Sequence, residues 1–441
     1  MVLETETVPE RSLDEIIREE DFQLLLEARA GRFFQILNLL RSRPDFEFNK
    51  KLLWRIREEA HSLETFLDDF GARNNKTYSY FTEAVSSVRN FAWALFELHH
   101  LLRRYRRYVV LDDQEQAERF LEDTRGVERR CRENLVRLMA DAERDARDFL
   151  RLSLPENAQD ERLLSDPLPA ILLPQNVDEG EILDEAAKVG EIATKFLRAL
   201  EKWKAFRFRP LSETAELRRF VLTRYDEEIA RKAEGIIHNL QAKYDTYIKG
   251  TTIEGEVREL PLLRGHISMA LHLFGVAQHL VHFYERHEND VRFEMTKQAI
   301  AAVVTKHDIL DICVNYALRH AGDYLERAEP VARELVKRYV RECEKTFRLR
   351  EGIQLHARPA TLIVRVVNHF GTPVQMIVDG QSCDARSITG ILLLSGTHLD
   401  AREVTFRGDE KPLTDLAKLF ESDMGGDDLS GLPADLAYLR D

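Results

Sequence analysis

The residues best suited to chemistry stand together in LHARPA, where His356 is followed closely by Arg358 and Pro359. A proline in the first turn of a helix is tolerated because its missing N–H needs no partner there, so a helix is expected to open just after His356. Unpaired N–H groups and the positive end of the helix dipole converge at such a start and attract anions. An imidazole placed there can accept a phosphoryl group and hand it on, and the planar Arg358 guanidinium can pair with phosphate oxygens in two-pronged fashion. By composition alone, a histidine near an arginine is more often an ordinary structural pair. Ser387, opening SITGILLL, reads as an N-cap, where a phosphate would complement the dipole instead of melting the helix. It can also be a cap and nothing more.

Other groupings carry less. His266, His272, His279, His282 and His287 crowd one helical stretch, and the spacing of His272, His279 and His282 puts those three on one side. Such a stripe can hold a divalent metal or an anion, but no acidic residue is interleaved at ligand spacing and H-E-x-x-H is absent. A partly buried helix face is the better reading, and no metal or cofactor is assigned. RRYRRY at 103–108 and ERRCRENLVR at 128–137 interleave arginine with aromatic and apolar residues, which could grip phosphates. Acidic flanks at helical spacing favour solvated faces.

The elements that must position His356 and Ser387 are short and alternating. Strands are expected over 346–350, 373–378, 381–383 and 403–407, with a turn at Asp379-Gly380 and helices over 358–370, 387–394 and 411–420. That is a four-stranded antiparallel sheet with three helices on one face. The preceding stretch, AEPVARELVKRYVRECEKTFRL, reads as a charged amphipathic helix running into the first strand with little linker.

Upstream the chain is mostly α. Apolar residues return every three or four positions from about Ser12 to Thr346, beginning with Leu24, Leu25, Leu26, Phe33 and Phe34. Pro155, Pro167, Pro169 and Pro174 mark a break. Three stretches of the first half match the second in order and at nearly constant separation, which suggests a duplicated bundle: 61–70 with 238–247, 100–107 with 279–286, and 142–150 with 317–325. The expected organisation is a disordered 1–11, a helical first half at 12–152, a linker at 153–180, a second half at 181–344, the α+β module at 345–421 and an acidic tail at 422–441. That tail is expected to be disordered or to dock onto the bundle.

Composition narrows the functions. At 441 residues the chain exceeds the roughly 250–300 at which single cores stop growing. A net charge of -13 gives no overall attraction for nucleic acid or an anionic membrane. No long apolar run suggests membrane insertion, the acidic N-terminus lacks signal-peptide character, and Cys131, Cys313, Cys343 and Cys383 are far apart. A cytoplasmic location is expected.

The residues EGIQLHARPATLIVRVVNHF and DGQSCDARSITGILLL, in register without a gap, resemble the HPr family. These are the histidine-containing phosphocarriers of the phosphoenolpyruvate-dependent sugar phosphotransferase system. The resemblance implies that His356 is the phosphoryl acceptor from an Enzyme I-type donor, with Arg358 assisting transfer. It implies that Ser387 is a regulatory site for HPr kinase/phosphorylase, and that Ile388, Thr389 and Leu392 belong to the docking surface for Enzyme I and sugar-specific acceptor domains. Ile388, Ile391 and Leu394 could instead be core. Two departures stand out: Thr389 replaces a bulkier apolar residue, and LLSGTHLDARE lengthens the approach to the last strand. A phosphoryl carrier or phosphotransfer-regulatory protein is therefore expected in preference to a turnover enzyme, with the helical region as sensor or partner-binding module. The alternatives are a docking and regulatory protein that does not relay phosphate to sugar permeases, and a metal- or ligand-dependent enzyme in the histidine-rich half.

Overall fold

The computed structural model describes residues 16–158, 185–206, 208–288, 294–348, 356–398, 401–425, 429 and 431–440. The expected disorder at 1–11 and most of the expected linker at 153–180 lie outside these residues. The long helices of the first part are α1 (Glu19–Ser42), α2 (Lys50–Asp69), α3 (Ser79–Arg104), α4 (Gln114–Arg144), α5 (Glu185–Ala205), α6 (Thr214–Arg224) and α7 (Glu227–Tyr247). They are followed by α8 (Glu259–Glu288), α9 (Glu294–Val303), α10 (Lys306–Asp311), α11 (Arg319–Arg327) and α12 (Glu329–Tyr339). A π-helical stretch, Ile312–Leu318, joins α10 to α11.

Side-chain caps set several of the starts. Asn49 accepts from the Leu52 N–H before α2, Asp226 from the Ile229 N–H before α7, and Asp113 with Gln116 forms a reciprocal capping box before α4. The two halves share one continuous apolar core running from Phe22 to Leu335. The stretches matched in sequence fall on α2 and α7, on α3 and its end and α8, and on α4 and α11 with the π-helical turns beside them. Asp112 ties the halves together. It accepts from the Tyr105 hydroxyl at 2.5 Å and the Tyr324 hydroxyl at 2.8 Å, and it pairs with Arg327. Helix α8 is long and apolar enough to cross a bilayer, but 78% of its most apolar window is buried against its neighbours.

The chain then enters the α+β module: β1 (Glu342–Arg348), α13 (Ala357–Phe370), β2 (Val374–Val378), β3 (Gln381–Asp384), α14 (Ile388–Thr397), β4 (Glu403–Asp409) and α15 (Glu410–Glu421). The sheet order is β1-β4-β2-β3, antiparallel throughout. Strand residues alternate. Val374, Met376, Val404 and Phe406 point into a second apolar core, while Gln375 and Arg407 face out. Helices α13 and α15 add Ile363, Val366, Leu413, Leu416 and Leu419 at helical spacing.

Two expectations are corrected. The helix before the sheet ends at Tyr339, and the first strand begins at Glu342 instead of 346. Glu342, Glu344 and Lys345 favour helix locally, but pairing of Glu342 with Asp409 through Arg348 with Glu403 overrides that preference. The described part of the terminal segment also packs on the module, where docking onto the bundle or disorder was expected. Leu432, Leu436 and Leu439 are buried in the second core, Arg365 donates to the Leu439 carbonyl at 2.8 Å, and Tyr438 donates to Asp415 at 2.9 Å.

Candidate functional site

His356 occupies the N-cap of α13, in extended conformation with φ -78° and ψ -172°. Its carbonyl accepts the first helical bond, from the Ala360 N–H at 3.1 Å. Its imidazole is exposed and does not cap the helix. Because Pro359 has no N–H, the amides of Ala357 and Arg358 are those that precede the helix's own hydrogen-bond ladder. Arg358 is half-buried in the same first turn. An exposed ring at a helix N-terminus with a guanidinium in the same first turn can present a phosphoryl group to a partner while the helix end stabilises its charge. Buried Pro359, Ala360 and Ile363 seat this turn on the core.

Ser387 is exposed and caps α14, its Oγ accepting from the Gly390 N–H at 2.9 Å. The turn leading to it is fixed by Asp384. The Asp384 carbonyl accepts from the Ser387 N–H at 3.0 Å, and its carboxylate takes the Arg386 backbone N–H at 3.0 Å and the Arg386 Nε at 2.9 Å. Burial alone would raise the Asp384 carboxyl, but the Arg386 guanidinium and backbone N–H hold it below its ordinary range.

Helices α13 and α14 pack beside one another. On α14, Ile388 is 39% exposed, Thr389 is exposed and Leu392 is half-buried, whereas Ile391 and Leu394 face the core. Ile388 and Thr389 thus lie on the outer side and Leu392 packs partly against the core, while the core alternative holds for Ile391 and Leu394. Leu393, 66% exposed, is the most open apolar residue of this helix and was not singled out from sequence. In ITGILLL every position from 391 to 394 is apolar, so periodicity does not say which leucine points outward.

The histidine stripe is engaged internally. His266 is fully buried with Nδ1 against the Leu262 carbonyl at 2.8 Å. His272 Nδ1 meets Glu97 at 2.6 Å, and His282 Nδ1 meets Glu227 at 2.8 Å. His279 stacks on Trp93 with ring centroids 4.9 Å apart, and burial lowers its pKa to about 3. The side chain of His287 lies outside the described set. Among the described residues no group of three His, Cys, Asp or Glu could hold a metal ion. Of the basic runs, Arg103, Arg104, Arg106, Arg107, Arg129 and Arg137 are exposed, while the Tyr108 hydroxyl lies 2.7 Å from His100 Nε2 and Arg132 sits over the Phe48 ring.

A family model described as the PTS HPr component phosphorylation site matches residues 343–422. The C-terminal module is an HPr-like domain, and the match covers that module alone. No solved structure matches the chain significantly.

Proposed function

From an HPr-like module with its histidine in the open, we propose that this chain is a phosphocarrier or phosphotransfer-regulatory protein of the sugar phosphotransferase system, working in the cytoplasm. His356 receives a phosphoryl group from an Enzyme I-type donor. A ring nitrogen attacks phosphorus, the new P–N bond forms as the donor's bond to phosphorus breaks, and the donor keeps the electron pair. Arg358 and the first-turn amides of α13 stabilise the charge on the transferring oxygens. The exposed side of α14, with Ile388, Thr389 and Leu392, is the docking surface for the donor and for sugar-specific acceptor domains. Ser387 is the site at which HPr kinase/phosphorylase acts. The helical region binds a partner or senses a ligand according to the state of the module.

The observation carrying this reading is the exposed His356 imidazole at the N-cap of α13 within the segment matched by the HPr family. Incubation with phosphoenolpyruvate and Enzyme I is expected to give an acid-labile, alkali-stable phosphoprotein that His356→Ala abolishes. Arg358→Ala is expected to slow transfer by about 10²-fold, the usual loss when one charge-stabilising donor is removed. Label surviving the His356 substitution sinks the assignment.

The second reading, a docking protein that keeps its phosphoryl group from sugar permeases, is favoured by the two-residue joint between α12 and β1, which holds the module against a large scaffold. Transfer from phospho-His356 to a sugar-specific acceptor domain separates the two.

A further inference from the structure

A groove of about 780 Å³ runs between α5 and α7 and is bounded on the module side by Arg386. Its cations come from three separate parts of the chain: Lys195, Arg198 and Lys202 on α5, Lys243 on α7, and Arg386 just ahead of α14. Glu201 on the wall, with Glu191 and Asp384 behind it, leaves an excess of positive charge. Lys195 and Lys243 meet Glu191 at 2.6 and 2.8 Å, so their charges are partly answered. Arg198 is in a different position. Its Nη2 is buried and finds no hydrogen-bond partner among the described residues. Burial, with the nearby Arg386 guanidinium, lowers its pKa to about 10.

A buried guanidinium nitrogen left unpaired beside a second arginine is costly, and native proteins retain such an arrangement where something else satisfies it. An anion with several oxygens would answer the groove's excess of positive charge, because guanidinium groups match phosphate by geometry as well as charge. It must also be more than an inorganic ion. Ile236, Leu240 and Tyr247 line the same groove, and the volume falls within the range of small-molecule sites. We propose that this groove binds a small organic phosphate, with its phosphate on Arg198 and Lys202, its organic part along α7, and Arg386 of the HPr-like module closing over it. Occupancy then ties module to scaffold, because one ligand is held from both. The proposal is independent of whether His356 carries phosphate.

The test is titration calorimetry and thermal melting of the full chain with ribose 5-phosphate, glucose 6-phosphate and adenosine 5′-monophosphate. Inorganic phosphate, glucose and citrate serve as controls. At least one ester is expected to bind saturably at one site per chain and to raise the melting midpoint, while glucose does neither. Arg198→Gln and Lys202→Gln are expected to weaken that ester by about tenfold or more, as the loss of a charge-assisted hydrogen bond implies. Lys202 is exposed, so its replacement leaves folding intact and keeps the test decisive if Arg198→Gln is poorly folded. Three results overturn the proposal: no saturable binding by any of the esters, binding that the two substitutions leave unchanged, or inorganic phosphate or citrate binding as tightly as the best ester.

Discussion

Glu191 shows how one carboxylate organises a crowd of cations. Lys188, Lys195 and Lys243 approach it at 3.2, 2.6 and 2.8 Å. Burial pushes its carboxyl up, but the ammonium groups of Lys195 and Lys243 override that and hold it down at about 2. In the unfolded chain a glutamate titrates at about 4.3, so the folded form is the stronger acid. Its contribution to stability is complete above that pH and is lost as pH falls toward about 2. Glu191→Gln is accordingly expected to lower the melting midpoint at neutral pH, and the gap from the parent protein should close as the solution is acidified. Midpoints measured across that range check it; a gap that widens in acid contradicts the assignment. Little of this was visible in the sequence, because Lys243 meets Glu191 only after α7 packs beside α5. The Arg198–Arg386 pairing was hidden for the same reason. The places of His356 and Ser387 at helix starts were legible, because each start is marked by its immediate neighbours.

Elements show a similar division. The β2–β3 hairpin could be read from Asp379-Gly380, and both residues do take left-handed φ values, 46° and 82°. The helices of the module were placed within a few residues by their apolar spacing. The start of β1 was not, since its helix-favouring residues become a strand only when β4 lies alongside. The partners of the α8 histidines were similarly opaque, because Glu97 and Trp93, which engage two of them, arrive from α3. Helix α8 also depends on Gly265, where a Cβ would overlap the carbonyl of Val109. Gly265→Ala is expected to cost about 1–3 kcal/mol by overpacking, because backbone must move to relieve it. Gly31→Ala in α1, with nothing within 4 Å of the new methyl, is expected to stabilise by about 0.5–1 kcal/mol. Chemical denaturation of both variants reads the contrast; equal effects would show that the close approach is not what selects glycine.

At the scale of the whole molecule, two apolar cores are joined by Val340 and Arg341. The second core extends past the family match through Leu432, Leu436 and Leu439. A chain ending at 425 is expected to lose about 3 kcal/mol or more of module stability, since burying even one leucine is worth about 2–5. Faster amide exchange at Met376 and Phe406 would register it, and unchanged protection would mean that the terminal segment only rests on the surface. The joint itself is held at both ends. The Arg341 carbonyl accepts from the Glu410 N–H at 2.7 Å, and a Cβ at Gly190 would lie 2.9 Å from Val340 Cγ2. A histidine mounted this way cannot be cast outward on a leash to search for company. Under the proposed function, a phosphoryl donor has to travel to a module already fixed to the scaffold at its first strand.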